Sequence, residues 1–175
     1  MMEDPGKLRV KDWKKIFAFA VIAAVVFLVD HAAKQLAVDH LADGLRRSYL
    51  ADTFRLEYVQ NTGVILGLGS QLPEATRTWL LPGLTAAVLI LMTVMWIRED
   101  GYGPAAAGMS LVWAGGFSNL VDRLVYGQVV DFFNFGIGTV RTGTSNLADL
   151  AIVAGIPLIM IGWRRSNQPK GEVGI

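Results

Sequence analysis

Hydrophobic residues in this chain are gathered into four long blocks, and polar residues fill the segments between them. A helix that crosses a bilayer needs about 20 predominantly apolar residues. The blocks approach that length, so we predict a mainly α-helical membrane protein with four transmembrane helices. We expect residues 1–175 to form a single integral membrane domain. The predicted spans are about 14–36, 76–97, 105–120 and 147–163, with outer loops at 37–75 and 121–146.

The first outer loop carries a pattern of a different kind. The segment FRLEYV, at 54–59, alternates apolar with polar residues, and such a period of two is typical of a strand. Asn61-Thr62-Gly63 follows as a turn signal, and the apolar stretch 64–68 comes next. We therefore predict a small extracytoplasmic β-sheet in this loop, followed by a piece that lies on the membrane surface.

Glycines in the third block leave two interpretations open. Gly108, Gly115 and Gly116 are small residues of the kind that allow helices to approach closely in lipid. Gly115 and Gly116 could equally serve to admit a bend.

Composition excludes several classes of function. The chain is 53% hydrophobic and 18% charged, with a net charge of +1, so there is no electrostatic basis for binding nucleic acid. It has no cysteine and only two histidines, His31 and His40, so we expect no thiol chemistry, no metal site and no cofactor. A Ser-His-Asp enzyme would depend on one of those two histidines.

The distribution of Lys and Arg predicts the orientation in the membrane. Five of the first 15 residues are basic, Arg98 follows the second span, and Arg164, Arg165 and Lys170 follow the fourth. Basic residues of the opposite side are spread over two longer loops. Because cytoplasmic segments are rich in Lys and Arg, we expect both termini in the cytoplasm. Seven polar residues then converge on the outer face of the bilayer: Asp30, Asn61, Asn119, Asp122, Asp131, Asn146 and Asp149.

Each acidic residue of this group has a structural and a functional interpretation. Asp30 and Lys34 are spaced i, i+4, which suits an interfacial ion pair or a functional site. For Asp122 the pattern favours an interfacial ion pair with Arg123 or a hydrogen-bonding anchor over catalysis. Asp149 could be a helix-start residue with Asn146 as the cap, or a catalyst.

Asp131 is the hardest of these acids to explain structurally, because it lies between Val-Val and Phe-Phe in a short strand or at a helix start. Two carboxylates that share a proton can hydrolyse a peptide bond. The ionised one takes a proton from water while the protonated one polarises the carbonyl group. The protonation states differ because two close carboxylates cannot both ionise cheaply, and desolvation acts in the same direction.

Five short blocks occur in a fixed order: DHAAK at 30–34, NTG at 61–63, GGFSNLVDR at 115–123, VVDF at 129–132 and NLAD at 146–149. In this combination the chain resembles lipoprotein signal peptidase (signal peptidase II), a family of four-span aspartic proteases of bacterial inner membranes. The resemblance extends from about residue 16 to residue 163.

The resemblance implies that Asp131 and Asp149 form the catalytic dyad. It implies removal of signal peptides from diacylglyceryl-modified prolipoproteins, with cleavage before the lipidated cysteine at the extracytoplasmic face. The expected partners are the prolipoprotein signal peptide with its diacylglyceryl-cysteine and membrane lipid, and the expected state is a monomer. Supporting or substrate-binding roles are implied for Asp30, Lys34, Asn61, Gly63, Asn119, Asp122, Arg123 and Asn146.

Several residues depart from the family pattern. His31 replaces the usual Gln, Val64 and Ile65 replace two alanines, and Ser118 replaces Gly. Ser145 stands where an aromatic residue is common. The dyad acids are retained, so we favour an active peptidase, and the competing hypothesis is a catalytically silent paralogue that binds lipidated peptides or membrane partners. A transporter is disfavoured because the acids gather at one face, whereas transport sites lie near the midplane.

Overall fold

The computed structural model describes residues 10–63, 73–99 and 101–166. Its elements are α1 (Val10–Leu41), β1 (Arg47–Tyr49), β2 (Phe54–Asn61), α2 (Glu74–Arg98), α3 (Pro104–Tyr126), β3 (Val129–Ile137), β4 (Val140–Ser145) and α4 (Leu147–Ser166). The predicted surface piece at 64–68, with Val64 and Ile65, lies outside the described residues.

Three helices among the described residues are long and apolar enough to cross a membrane: Trp13–Leu41, Thr78–Arg98 and Leu147–Arg164. Large apolar side chains on their outer faces are exposed, including Phe17, Leu84 and Val153. Such faces suit lipid, since a water-soluble helix buries its apolar stripe. The third predicted span corresponds to α3, which is more polar because it carries Ser110, Asn119 and Asp122 among its buried residues.

The α3 helix lies between the other helices and contacts α1, α2 and α4. Glycines allow α3 to pack closely against α4. A Cβ on Gly108 would lie 2.5 Å from the Gly155 carbonyl oxygen, and one on Gly115 would overlap the Ala148 carbonyl oxygen. Of the two interpretations offered for these glycines, close approach applies to Gly108 and Gly115.

A four-stranded antiparallel sheet of order β1-β2-β3-β4 covers one end of the bundle. The sequence prediction placed the sheet in the first outer loop alone, and that was incomplete. The first loop supplies β1 and β2, while the second supplies β3 and β4 as a hairpin. Phe132 and Phe133 of β3 join Ala37 and Leu41 of α1 in a buried cluster. This apolar contact attaches the sheet to the helices and explains why both loops contribute to it.

Two helices extend beyond the predicted spans. The first helix continues past residue 36 to Leu41, because Ala37 and Leu41 are buried against the sheet. The third continues past residue 120 to Tyr126 and ends at Gly127, which has a φ of 73°. A glycine in this left-handed conformation is a common helix terminator. Asp122 and Arg123 therefore lie on a helix and not in a loop.

Candidate active site

Asp131 enters the site from the middle of the sheet. It lies on β3 opposite Val59 of β2, next to the irregularity in pairing between Leu56 and Val59. Its side chain is buried, with 2% of the residue exposed. Asn61, at the end of β2, donates a 2.8 Å hydrogen bond from Nδ2 to Asp131 Oδ2.

The turn predicted at Asn61-Thr62-Gly63 is present and has a role in orienting Asn61. Asn61 Oδ1 accepts a hydrogen bond of 2.8 Å from the backbone N–H of Gly63. Gly63 has a φ of 97°, a conformation that favours glycine. Because the amide oxygen is used in this turn, the Nδ2 group of Asn61 is directed at Asp131.

Asp149 enters the site from the first turn of α4, and Asn146 is the cap of that helix, as one interpretation of the sequence expected. Asn146 Oδ1 accepts from the Asp149 backbone N–H at 3.0 Å, and Asp149 Oδ2 accepts from the Asn146 backbone N–H at 3.3 Å. This reciprocal arrangement satisfies two donors at the helix start. The capping and catalytic interpretations of Asp149 are therefore compatible.

Asn146 also links the two aspartates. Its Nδ2 donates a 2.6 Å hydrogen bond to Asp131 Oδ1 while its backbone and Oδ1 hold Asp149. Asn146 is fully buried, so this bridge is not exchanged for water. The strand β3 and the start of α4, which are separated only by β4, are thus joined at one carboxylate pair.

Asn119 of α3 holds the other oxygen of Asp149, donating from Nδ2 to Oδ1 at 2.8 Å. Its own Oδ1 accepts from Lys34 Nζ at 3.1 Å. The ammonium group can only donate, so the contact with Lys34 requires the oxygen of Asn119 on that side and its nitrogen toward Asp149. Lys34 therefore fixes the orientation of a group that touches Asp149.

Asp30 and Lys34, which share a helix face as their spacing indicated, form an ion pair of 2.6 Å between Nζ and Oδ2, and both side chains are buried. Of the two structural interpretations of Asp122, the ion pair with Arg123 is absent from the described part of the chain, and the hydrogen-bonding anchor is the one that applies. Asp122 instead contacts Lys34 Nζ at 2.5 Å and His31 Nε2 at 3.2 Å. Adjacent residues on a helix point in different directions, and Asp122 faces α1. Sequence reasoning had treated it as part of a loop, where neighbouring side chains can pair.

Arg123 lies on α3 beside the acidic residues. Its Nη1 donates to the Asn119 backbone oxygen at 3.2 Å. Its Nε is buried and has no hydrogen-bond partner among the described residues. A buried donor without a partner is costly.

Asp30 is wholly buried and anchors α4 to the site. Its Oδ1 accepts from the backbone N–H of Ala148 at 3.0 Å, and its Oδ2 accepts from Ser118 Oγ at 2.7 Å. A carboxylate at the start of a helix is favoured by the unpaired N–H groups there. Asp30 thus holds the residue next to Asp149.

Burial raises the pKa of Asp131 from its usual 3.8 to about 6. The hydrogen bond from Asn61 opposes this effect, and the nearby charge of Asp149 adds to it. A carboxyl group with a raised pKa beside a second carboxylate can retain a proton near neutral pH, which is the condition that general acid–base chemistry with two carboxyl groups requires.

Sequence reasoning assigned no contacts to Ser118, His31 or Ala148. Ser118 and His31 were noted as departures from the family pattern without a contact for either, and Ala148 contributes a backbone group that no side-chain motif reveals. One signal was available for Ser118. It lies three residues after Gly115 and four before Asp122, so all three share the face of α3 that meets α1 and α4.

A family model described as signal peptidase (SPase) II matches residues 22–164 of the chain. The lipoprotein signal peptidase of Aquifex aeolicus (strain VF5) is 33% identical over 150 residues, which cover 86% of this chain and 87% of that protein. The lipoprotein signal peptidase of Bifidobacterium adolescentis is 32% identical over 182 residues, covering 98% of this chain and 89% of that protein.

Solved structures of bacterial membrane enzymes share the fold. One superposes with a TM-score of 0.77 at 24% identity, covering 91% of this chain and 95% of that chain. A second has a TM-score of 0.71 at 25% identity, with 85% and 93% covered. The architecture is therefore that of a bacterial membrane enzyme. The family match is more specific: this chain belongs to the signal peptidase II family of aspartic peptidases, which act on lipoprotein precursors in the membrane.

Proposed function

We propose that the chain removes signal peptides from diacylglyceryl-modified prolipoproteins, with Asp131 and Asp149 as the catalytic dyad. The observation that carries this proposal is the bridge through Asn146, which holds the two carboxylates of β3 and α4 together. Neither carboxylate is in an ion pair with a cation among the described residues, so their charge stays available for proton transfer.

The proposed reaction is the hydrolysis of the peptide bond that precedes the lipidated cysteine. The ionised member of the dyad takes a proton from water, and the water oxygen bonds to the carbonyl carbon. The protonated member gives its proton to the carbonyl oxygen, producing a neutral diol. When the C–N bond breaks, the protonated member of the dyad gives its proton to the cysteine nitrogen and the ionised member takes a proton from one diol hydroxyl. A new carboxyl group then remains on the signal peptide, and the dyad again holds one proton. The two aspartates titrate as one coupled pair, so the proton is assigned to the pair and not to either residue.

The surrounding polar residues have two proposed roles. Asn61, Asn119 and Asn146 orient the dyad through the hydrogen bonds described above. Arg123 supplies its buried, unpaired Nε to a carbonyl oxygen of the bound peptide, which would satisfy that donor. Asp30, Lys34 and Asp122 hold the helices that carry these groups, and Gly63 holds Asn61.

The membrane arrangement is part of the proposal. We propose that the chain is a single integral domain and a monomer, with α3 as a fourth span, both termini in the cytoplasm and the sheet at the extracytoplasmic face of the inner membrane. The basic residues before α1 and after α2 and α4 support this orientation. The chain lacks cysteine, so single cysteines can report it. In intact cells a membrane-impermeant maleimide is expected to label Ser48→Cys and not Asn167→Cys; the reverse result would invert the topology.

A cleavage assay tests the dyad. The purified protein in lipid is given a diacylglyceryl-modified prolipoprotein, and the product is followed by gel mobility. Asp131→Asn and Asp149→Asn are each expected to lower the rate by at least about a thousandfold, because a catalytic unit fails when one member is removed. Asp43→Asn is the matched control, since Asp43 is exposed and, within the described ranges, its carboxylate bonds to Arg47 and the Leu45 backbone alone. Activity in both dyad variants would refute the assignment, and an inactive but folded parent would favour the silent paralogue.

A further inference from the structure

His31 is surrounded by hydrogen-bond acceptors. Its Nδ1 lies 3.1 Å from the backbone oxygen of Phe27 and 3.2 Å from Ser118 Oγ. Its Nε2 lies 3.2 Å from Asp122 Oδ1. The side chain is 28% exposed, so the ring can exchange protons with solvent.

These acceptors determine the protonation of the ring. A carbonyl oxygen only accepts, and the Ser118 hydroxyl donates its hydrogen to Asp30 at 2.7 Å, so Nδ1 must carry a proton. Nε2 faces a carboxylate oxygen of Asp122, whose other oxygen is 2.5 Å from the Lys34 ammonium group. That ammonium favours the ionised carboxylate, so Nε2 must carry a proton too. A neutral ring would direct a lone pair at one of these acceptors.

The remaining surroundings are compatible with an imidazolium. The Phe27 ring stacks on His31 with centroids 4.1 Å apart, and an aromatic face attracts a cation. The ring opens on a cavity of about 280 Å³. The titratable groups that line this cavity beside it are Lys34 of α1, Asp122 and Tyr126 of α3 and Tyr58 of β2, while β3 contributes the neutral Val130.

A continuous set of contacts leads from His31 to Asp149. Lys34 has three N–H donors and three acceptors: Asp30 Oδ2 at 2.6 Å, Asp122 Oδ2 at 2.5 Å and Asn119 Oδ1 at 3.1 Å. The last contact orients the Asn119 amide toward Asp149. Only 4% of Asp122 is exposed, so without His31 its Oδ1 would be a buried carboxylate oxygen without this partner. With a charged His31, two cations balance the carboxylates of Asp30 and Asp122.

We propose that His31 is a positioning residue that acts as an imidazolium: it holds Asp122 and, through Lys34 and Asn119, fixes the carboxylate of Asp149. The proposal rests on the dyad assigned above. In this proposal Ser118 and His31 act together. The Ser118 hydroxyl donates its hydrogen to Asp30, so its oxygen can only accept a hydrogen bond from the His31 ring.

The charge state can be measured without any substrate. The chain has two histidines, so a ¹⁵N spectrum of its imidazole groups contains two sets of signals, and His40→Gln assigns them. Near neutral pH, both ring nitrogens of His31 are expected to show N–H signals with imidazolium shifts. A neutral ring for His31 would overturn the proposal. Because this readout needs no catalysis, it stands even if the peptidase assignment fails.

Kinetics test the positioning role. His31→Gln keeps an N–H donor for Asp122 and removes the charge. We expect kcat to fall about three- to tenfold with KM unchanged, a loss of one charge-assisted contact. The alkaline limb of the pH profile is expected to move up by about half a pH unit, because loss of a nearby cation makes ionisation of the dyad harder. His40→Gln, on an exposed residue, is expected to match the parent. An unchanged kcat and profile in His31→Gln would overturn the proposal.

Discussion

The site contains two pairs of carboxylates that are held in different ways. Asp30 and Asp122 both contact the Lys34 ammonium group, at 2.6 and 2.5 Å. Asp131 and Asp149 receive hydrogen bonds from amide groups of Asn61, Asn119 and Asn146. A cation in contact neutralises a buried carboxylate and makes it a structural anchor, whereas neutral donors orient it and leave its charge in place.

This difference matches the proposed division between supporting residues and catalytic residues within a single network. The first pair joins α1 to α3 and, through the Ala148 N–H, to α4. The second pair joins β3 to α4 through Asn146. Three changes would break or sharpen this comparison.

The largest effect is expected on removing the cation of the first pair. Lys34→Met leaves Asp30 and Asp122 buried without their ammonium partner, and breaking a buried ion pair costs about 3–5 kcal/mol. We expect a large drop in the thermal midpoint of the protein in lipid, measured by circular dichroism. The matched control is Lys14→Met, since Lys14 is exposed on the same helix. Equal stability of the two variants would mean that the first pair is not an anchor.

The raised pKa of Asp131 in the second pair is expected to make the free energy of unfolding depend on pH. The pKa of Asp131 is raised from 3.8 to about 6, so the native state favours its protonated form. The stabilisation of the native state by protonated Asp131 is fully present below about pH 4. It is lost as the pH rises through about 6, and the free energy of unfolding then falls by about 3 kcal/mol. Unfolding of the parent and of Asp131→Asn is compared across this window. As the pH rises, the parent is expected to lose stability relative to Asp131→Asn. A stability difference that stays constant with pH would contradict the raised pKa.

The smallest effect is expected at the contact that sets the spacing of the second pair. Gly115→Ala places a methyl group against the Ala148 carbonyl oxygen and 2.9 Å from Ile152 Cγ1, which moves the start of α4. Overpacking of this kind costs about 1–3 kcal/mol. We expect the cleavage rate to fall by more than the loss of folding stability accounts for, because Asp149 moves with α4 while Asp131 stays on the sheet.

The control for this change is Gly83→Ala on α2, where the added methyl group has nothing within 4 Å. It is expected to leave cleavage unchanged. A similar loss of cleavage in Gly115→Ala and Gly83→Ala would show that the spacing of α3 and α4 does not determine the cleavage rate.

Much of the architecture could be predicted from the chain alone. Runs of apolar residues predict helices because length and hydropathy are local properties, and the four predicted blocks coincide with α1 to α4. The cap at Asn146 and the turn at Gly63 are also local, since each depends on hydrogen bonds within three residues. The five motif blocks together predicted the family to which the chain belongs.

Contacts between distant segments were decided by the tertiary structure. Asp122 pairs with Lys34 and His31 and not with Arg123, because the face of α3 that meets α1 is set by the packing of the bundle. The sheet takes strands from two loops, because the partners of β2 include a strand about 70 residues later in the chain. Long-range pairing leaves little trace in a local pattern.

The sequence by itself determined the types of residue that are present and the elements that carry them: apolar helices, a polar end, and acids adjacent to asparagines. It could not determine which acids are neutralised. Whether a carboxylate meets an ammonium group or an amide depends on which helix faces which, and that is a property of three-dimensional packing. The tertiary structure places Asp30 and Asp122 against the Lys34 ammonium group and Asp131 and Asp149 against asparagine amides, and this difference supports the division of roles that the family resemblance implied.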